Sequence, residues 1–299
     1  MALRAIEQQK GVVKRAFPRL TRRVRDLHGL PASLGAIGAL ELRLATTKKE
    51  IRKAQKLRYR VFFEGGRGLA DPTARLIRRD ICPFDRVCDH LIVLDHAAKG
   101  RGGAPRLVGA YRLLRQDVAE ANFGFYSAGE FEIAPLLARH SGKRFLELGR
   151  SCVAEGYRGK PTLELLWRGI WTYVQHHRID AMFGCASLEG DNPAEHALAL
   201  THLRASALAS PEWSAQALSG QGVDTALLAA PAVDARAAIR ALPPLVKGYW
   251  RLGAKFGAEA VVDPKFVTTD VFVIMPVVDI QERYIRYFGT PGEAAPLAA

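Results

Sequence analysis

The sequence predicts an α/β protein built on a mixed, mostly antiparallel sheet flanked by helices, and three observations carry that expectation. Strand-like runs recur at Leu91 to Asp95, Leu107 to Leu114 and Phe145 to Val153. The first two are joined by a Gly-rich turn at 100–103, as an antiparallel pair would be. Thr162 to His177 then places Leu163, Leu166, Trp167, Ile170, Trp171 and Val174 on one helical face, with Pro161 suited to the first turn. A short strand, Ala181 to Ala186, follows, so Phe145 to Ala186 reads as a βαβ unit whose right-handed crossover makes that one pair parallel. At 299 residues and 48% hydrophobic content the chain can bury one large α/β core or two small ones.

The remaining elements follow from periodicity and punctuation. Basic residues from Arg4 to Arg25 alternate with Ala5, Ile6, Val12, Val13, Phe17, Leu20 and Val24, a basic amphipathic pattern broken near Pro18. The Gly- and Ala-rich stretch 29–40 reads as a linker. From Thr47, apolar Ile51, Ala54, Leu57, Val61 and Phe62 recur at helical spacing up to the Gly65-Gly66 pair. Arg67 to Asp85 is polar and turn-rich, a loop. Asp191 or Asn192 can cap a helix running to about Leu208, after which an Ala-rich, irregular region extends to Ala241. A strand at Asp270 to Pro276 and a short helix around Ile280 to Tyr287 close the fold. The expected organisation is a leader and linker at 1–40, one domain at 41–290 and a flexible tail at 291–299.

Charge and cysteine content narrow the function classes. The net charge of +13 is concentrated in residues 1–60, which hold 16 Lys and Arg against 4 Asp and Glu; the rest is nearly neutral. Such a leader suits an anionic partner, or is a solvated tail. Nucleic acid is disfavoured, because the leader offers only Phe17 for base stacking. No apolar run approaches the roughly 20 residues of a membrane-spanning helix, and no secretory signal is present, so a cytoplasmic location is expected. Cys82, Cys88, Cys152 and Cys185 are too scattered for a disulfide framework and read as thiols. Cys82, Cys88 and His90 lack a fourth ligand at zinc spacing, so no metal site is expected.

The turn Glu155-Gly156-Tyr157-Arg158-Gly159-Lys160-Pro161 opens the central helix. Its glycines free backbone N–H groups, and Arg158 or Lys160 adds positive potential, a pattern that suits a phosphate but also occurs at helix starts that bind nothing. Leu146-Glu147-Leu148-Gly149-Arg150-Ser151-Cys152-Val153 followed by Tyr157-Arg158-Gly159 resembles the central strand and phosphate loop of GNAT (N-acetyltransferase) acyltransferases. More narrowly it resembles the branch holding acyl-homoserine-lactone synthases and ornithine N-acyltransferases. Leu57-Arg58-Tyr59-Arg60-Val61-Phe62, Phe84-Asp85, Cys88-Asp89-His90-Leu91 and Val108 to Leu114 agree with that branch. Leu242 to Leu245 and Thr269 to Val271 are similar to the ornithine enzymes in particular. The likeness spans roughly residues 42–290. One departure is that Gly156 and Pro161 stand where acetyl-CoA enzymes carry Gln or Arg and a second small residue, which points away from coenzyme A. The tyrosine that often protonates the leaving thiolate is also missing.

The resemblance implies direct transfer of a (3-hydroxy)fatty acyl group from acyl carrier protein to the α-amine of ornithine, giving lyso-ornithine lipid. The carrier's 4'-phosphopantetheine arm would meet Tyr157, Arg158, Gly159 and Lys160. Glu147 is the candidate base, or the partner of Arg112 or Arg150 in an ion pair. Strict alternation puts Glu147, Gly149 and Ser151 on one face and Leu146, Leu148 and Arg150 on the other; the family implies a bulge here. Arg112 and Arg150, embedded in strands, either fork the amino acid's carboxylate or join a structural network with Glu147 and Asp85. Arg58, Phe62, Asp85 and Asp89 complete the substrate side, with Asp85 and Asp89 either holding the side-chain ammonium or supporting the arginines. Backbone N–H groups near Cys152 and Val153 would hold the oxyanion. Covalent catalysis by Cys152 is disfavoured, having no adjacent histidine. Trp167 and Trp171 are expected to pack the helix on the sheet, and His176-His177 to sit exposed at its end. Acyl-homoserine-lactone synthesis or acylation of another amino acid are the sister readings. A nucleic-acid-binding scaffold would leave Glu147 and Arg150 without purpose. The leader is expected to rest on an anionic membrane surface.

Overall fold

The structure, a computed structural model, describes residues 27–229 and 234–288. The amphipathic pattern at Arg4 to Arg25 and the expected tail therefore lie outside the described residues. Nine strands form one sheet: β1 (Gly35–Ile37), β2 (Leu40–Leu44), β3 (Asp89–Lys99), β4 (Pro105–Arg115), β5 (Phe145–Val153), β6 (Ala181–Glu189), β7 (Val223–Asp224), β8 (Lys255–Asp263) and β9 (Thr268–Pro276). Their order is β1-β2-β3-β4-β5-β6-β9-β8-β7. Every pair is antiparallel except β5 with β6. That exception follows from the crossover helix between them.

The helices are α1 (Lys48–Tyr59), α2 (Pro72–Ile77), α3 (Gln116–Glu120), α4 (Ile133–Arg139), α5 (Lys160–His177), α6 (Ala197–Ala207), α7 (Ala235–Ala241), α8 (Pro244–Leu252) and α9 (Glu282–Phe288). Thr47 starts α1 with a capping box: its hydroxyl accepts from the Glu50 N–H, and the Glu50 carboxylate accepts from the Thr47 N–H. The helix then widens into a π turn at Arg60–Glu64 and stops at Gly65. α1 packs over β4 and β5, while α5 crosses β1, β2 and β3 on the opposite face. Gly169 makes that crossing possible, since a Cβ there would lie 2.1 Å from a Leu42 methyl.

Three expectations change. The sheet begins at Gly35, inside the stretch that composition reads as linker, because Leu42 and Leu44 alternate into the core against β3. The loop at 67–85 contains α2, capped by Asp71, and a 3₁₀ turn at Pro83–Arg86. The region from Leu208 to Ala241 is not irregular throughout, since it holds β7, paired to β8, and α7. Asn192 does cap as expected, although its first turn is 3₁₀ before α6 begins.

Candidate active site

Three arginines converge beneath α1. Arg58 lies one residue from the end of α1 and is 1% exposed. Its Nη1 and Nη2 reach Asp85 Oδ1 and Oδ2 at 2.7 Å each, and its Nε reaches Asp80 Oδ2 at 2.8 Å. Asp85 also accepts from Gln55, one turn earlier on α1, and from the Cys82 N–H. Burial alone would raise the Asp85 carboxyl, but Arg58 outweighs it and holds it well below the ordinary carboxylate range. Arg58 is thus the keystone that docks the 78–86 segment on α1. Arg112 of β4 comes within 3.5 Å of Asp85 and lies over the rings of Phe84 and Tyr126.

Arg150 reaches this group through a bulge in β5. Ala110 pairs with Cys152 and Arg112 with Gly149, so two residues of β5 oppose Tyr111 alone. Arg150 takes φ +52°, a left-handed conformation that costs an L residue of this size on the order of 1 kcal/mol or more. The distortion turns its guanidinium to the Glu147 and Arg112 face, between the rings of Tyr126 (4.5 Å) and Phe266 (4.3 Å). Its Nη2 donates to the Tyr126 hydroxyl at 3.1 Å and its Nε stands 3.5 Å from Asp80. Glu147 pairs with neither arginine among the described residues. Its two oxygens accept the backbone N–H groups of Tyr126 (2.9 Å) and Ser127 (2.6 Å), which pins the 126–129 turn over the site. Buried Arg112 Nη1 and Arg150 Nε have no hydrogen-bond partner.

Beside this constellation the sheet parts. Pairing of β5 with β6 stops at Glu147 opposite Phe183. At the next position Gly184 lies against the strand, where a Cβ would come within 2.4 Å of the Leu148 carbonyl oxygen. Ala154 N–H donates to Val108 of β4, so strand alternation turns the Val153 N–H toward the open side. A small apolar cavity lies in the parting, lined by Leu148, Met182, Phe183, Tyr249, Val273 and Met275. Met182 and Met275 also line a second small one, which Trp167, Ile170, Trp171 and Leu252 enclose. The two tryptophans therefore wall a cavity as well as packing α5.

The other expected residues are spread around this centre. Phe62 stacks edge-on against Phe266 at 5.7 Å. Asp89 accepts from the Tyr173 hydroxyl at 2.6 Å. Tyr157 gives its hydroxyl to Asp95, and Arg158 Nε donates to the Val153 carbonyl. Gly159 is the N-cap of α5 and Lys160 its first residue, so the first-turn N–H groups face outward there. Burial pushes the Cys152 thiol up to about 12, leaving no thiolate near neutral pH. His177 is half-buried against Arg115 and Tyr173, and burial followed by Arg115 drives it down to about 4. It is therefore neutral, and the expected cationic helix end is not formed at His177.

Asp80, Tyr126, Phe266 and an acidic cluster were not legible in the sequence. Glu130, Asp263 and Asp270 bring carboxylate oxygens within 4.8 Å of one another, the one such grouping of His, Cys, Asp or Glu among the described residues. Asp263 Oδ1 accepts from the Lys265 and Phe266 N–H groups of the β8–β9 turn, which fixes it beside the ring that carries Arg150. Burial, and then mutual repulsion with the neighbouring acids, raise Glu130 above the ordinary carboxylate range; burial and Asp263 raise Asp270.

Comparison with known proteins gives the family. The model of the acetyltransferase (GNAT) domain family matches residues 57–168. The L-ornithine N(alpha)-acyltransferase of Agrobacterium fabrum is 54% identical over 270 residues, 90% of this chain and 90% of that protein. Its namesake in Rhizobium meliloti is 50% identical over 268 residues, 89% of this chain and 90% of that one. The Rhodobacter capsulatus protein of that name is 41% identical over 251 residues, 83% and 94% of the two chains. Among solved structures, an N-acyl amino acid synthase from uncultured soil microbes aligns with TM-score 0.44 at 12% identity, over 80% of this chain and 92% of that one. With half its residues shared along nine-tenths of its length, this GNAT-fold acyltransferase belongs to the L-ornithine N(alpha)-acyltransferase family.

Proposed function

We propose that the protein transfers a 3-hydroxyfatty acyl group from the phosphopantetheine thioester of acyl carrier protein to the α-amine of L-ornithine, releasing the carrier thiol and lyso-ornithine lipid. The parting of β5 from β6 beside Glu147 and Arg150 carries this reading, because it sets polar groups suited to an amino acid next to an apolar lining, of Leu148, Met182, Phe183 and Met275 among others, that suits an acyl chain. The relatives' names supply the acceptor. The thioester carbonyl would lie along the open edge of β5, with the Val153 N–H available to the developing oxyanion. Arg112 and Arg150 retain unspent donors for the α-carboxylate. Glu147 keeps free lone pairs on both oxygens and is the proposed acceptor of the proton that the attacking amine loses.

The first turn of α5, with Arg158 and Lys160, would receive the single phosphate of the pantetheine arm. Its departure from the acetyl-CoA pattern supports a carrier protein as donor, and an acidic carrier suits a basic enzyme. Donor identity is tested by kcat/KM with matched 3-hydroxyacyl carrier protein and 3-hydroxyacyl-CoA: the carrier should win, and equal or better use of the CoA thioester refutes it. The basic leader would rest on anionic lipid and deliver a product that belongs in a membrane. No helix among the described residues is long and apolar enough to cross a membrane. Removal of residues 1–40 should release the protein from anionic vesicles; continued sedimentation with them would exclude this role for the leader.

A further inference from the structure

We infer that Glu130, Asp263 and Asp270 form the receptor for the side-chain ammonium of the amino acid substrate, and thereby decide which of its two amines is acylated. This rests on the ornithine reading and deepens it. The cluster has the character of a site left waiting for a cation. Asp270 is 5% exposed, and its Oδ1 has no hydrogen-bond partner; Glu130 Oε2 is buried and equally unpartnered. Among the described residues no Lys, Arg or His forms an ion pair with any of the three. Folded chains seldom bury carboxylate oxygens without partners unless a ligand completes them.

The spacing admits an ammonium. Three oxygens that each sit about 2.8 Å from a tetrahedral ammonium nitrogen stand about 4.6 Å apart, and these carboxylate oxygens all lie within 4.8 Å of one another. The neighbourhood also offers both charges that a diamino acid needs. Phe266 carries Arg150 over its ring, and its backbone N–H is accepted by the Asp263 carboxylate, so one residue joins the guanidinium to the acids. An α-carboxylate on Arg150 and a δ-ammonium on the acids would be bound by neighbouring groups.

Such binding has a chemical consequence. Only an unprotonated amine attacks a thioester, and three carboxylates hold the δ-nitrogen in its charged form. The δ-amine is silenced, while the α-amine, with Glu147 to take its proton, is free to react. The cluster therefore enforces Nα over Nδ chemistry as well as the choice of a cationic side chain.

Steady-state acylation of ornithine and norvaline, which shares its chain but lacks the δ-amine, separates this from the broader reading. The wild type should prefer ornithine, and Glu130→Gln with Asp270→Asn should cut the ornithine-over-norvaline ratio of kcat/KM on the order of 100-fold. Nδ-acylated product should appear in the variant. Its melting temperature should rise, because like-charge repulsion is removed; this shows that the variant folds. An unchanged ratio overturns the inference while leaving ornithine acylation standing. A wild type whose activity is lost with chelator and restored by Mg²⁺, Mn²⁺ or Ca²⁺, with those ions failing on the variant, overturns it in favour of a metal site. A wild type that acylates neither amine of ornithine removes the ornithine reading itself, and the inference with it.

Discussion

Replacing Arg58 by Met separates a structural arginine from a substrate-binding one. The guanidinium is 1% exposed, hydrogen-bonds both Asp85 oxygens and the Asp80 carbonyl, and forms an ion pair with the Asp80 carboxylate. Met fills much of the same volume but leaves two carboxylates, 1% and 4% exposed, with Gln55, the Cys82 N–H, Arg112 and Arg150 near them and no guanidinium between them. Removing one partner of a buried, hydrogen-bonded ion pair costs about 3–5 kcal/mol, a large part of the roughly 5–15 kcal/mol that holds a domain folded. Urea denaturation followed by tryptophan fluorescence should show a loss of that size. Arg78→Ala is the internal control: its pair with Glu64 is on the surface, with the arginine 69% exposed, and should be worth less than about 1 kcal/mol. If Arg58→Met costs under 1 kcal/mol yet raises KM for the amino acid, Arg58 serves the substrate and the docking argument is wrong.

Glu147→Gln should lower kcat by about 10²–10⁴-fold. It should also cost about 1–3 kcal/mol in denaturation, because an amide NH₂ would face one of the Tyr126 and Ser127 N–H groups. Near-full kcat would exclude it as the base. His90 is pushed down to about 4 by burial, so its stabilising neutrality is complete above its ordinary value near 6.5 and is lost as pH falls from there through 4. The stability difference between pH 7.5 and pH 4.5 should shrink by about 2–3 kcal/mol in His90→Gln, and an unchanged difference would refute this. Met275→Trp should narrow the passage where both cavities meet, so long acyl donors lose kcat/KM while short ones keep it; an unaltered chain-length profile would place the acyl chain elsewhere.

What could be read in advance was what is local. The central βαβ unit, the Thr47 helix and the Glu147 to Arg150 segment follow from short-range periodicity, and the structure places them in one sheet region. Gly35 to Leu40 reads as linker because glycine and alanine make up much of the 29–40 stretch, although Leu40, Leu42 and Leu44 alternate as a strand should. The partners of the arginines were hidden for a different reason. Asp80 comes from a polar loop, Tyr126 from a 3₁₀ turn and Phe266 from the β8–β9 turn, so only tertiary folding gathers them. The acidic cluster joins position 130 to positions 263 and 270 across more than a hundred residues, a separation no motif spans. Arg150 shows the limit of strand alternation: one left-handed residue moves its side chain to the opposite face.

Transfer itself is tested most directly by one measurement on the full-length protein. Purified enzyme is given 3-hydroxyacyl carrier protein and L-ornithine, and tandem mass spectrometry locates the acyl group while free carrier thiol is counted. The account expects Nα-acylornithine and carrier thiol in equal amounts, with no acylated enzyme accumulating. Thioester hydrolysis without acylornithine, or a product acylated chiefly on the δ-nitrogen, would contradict it.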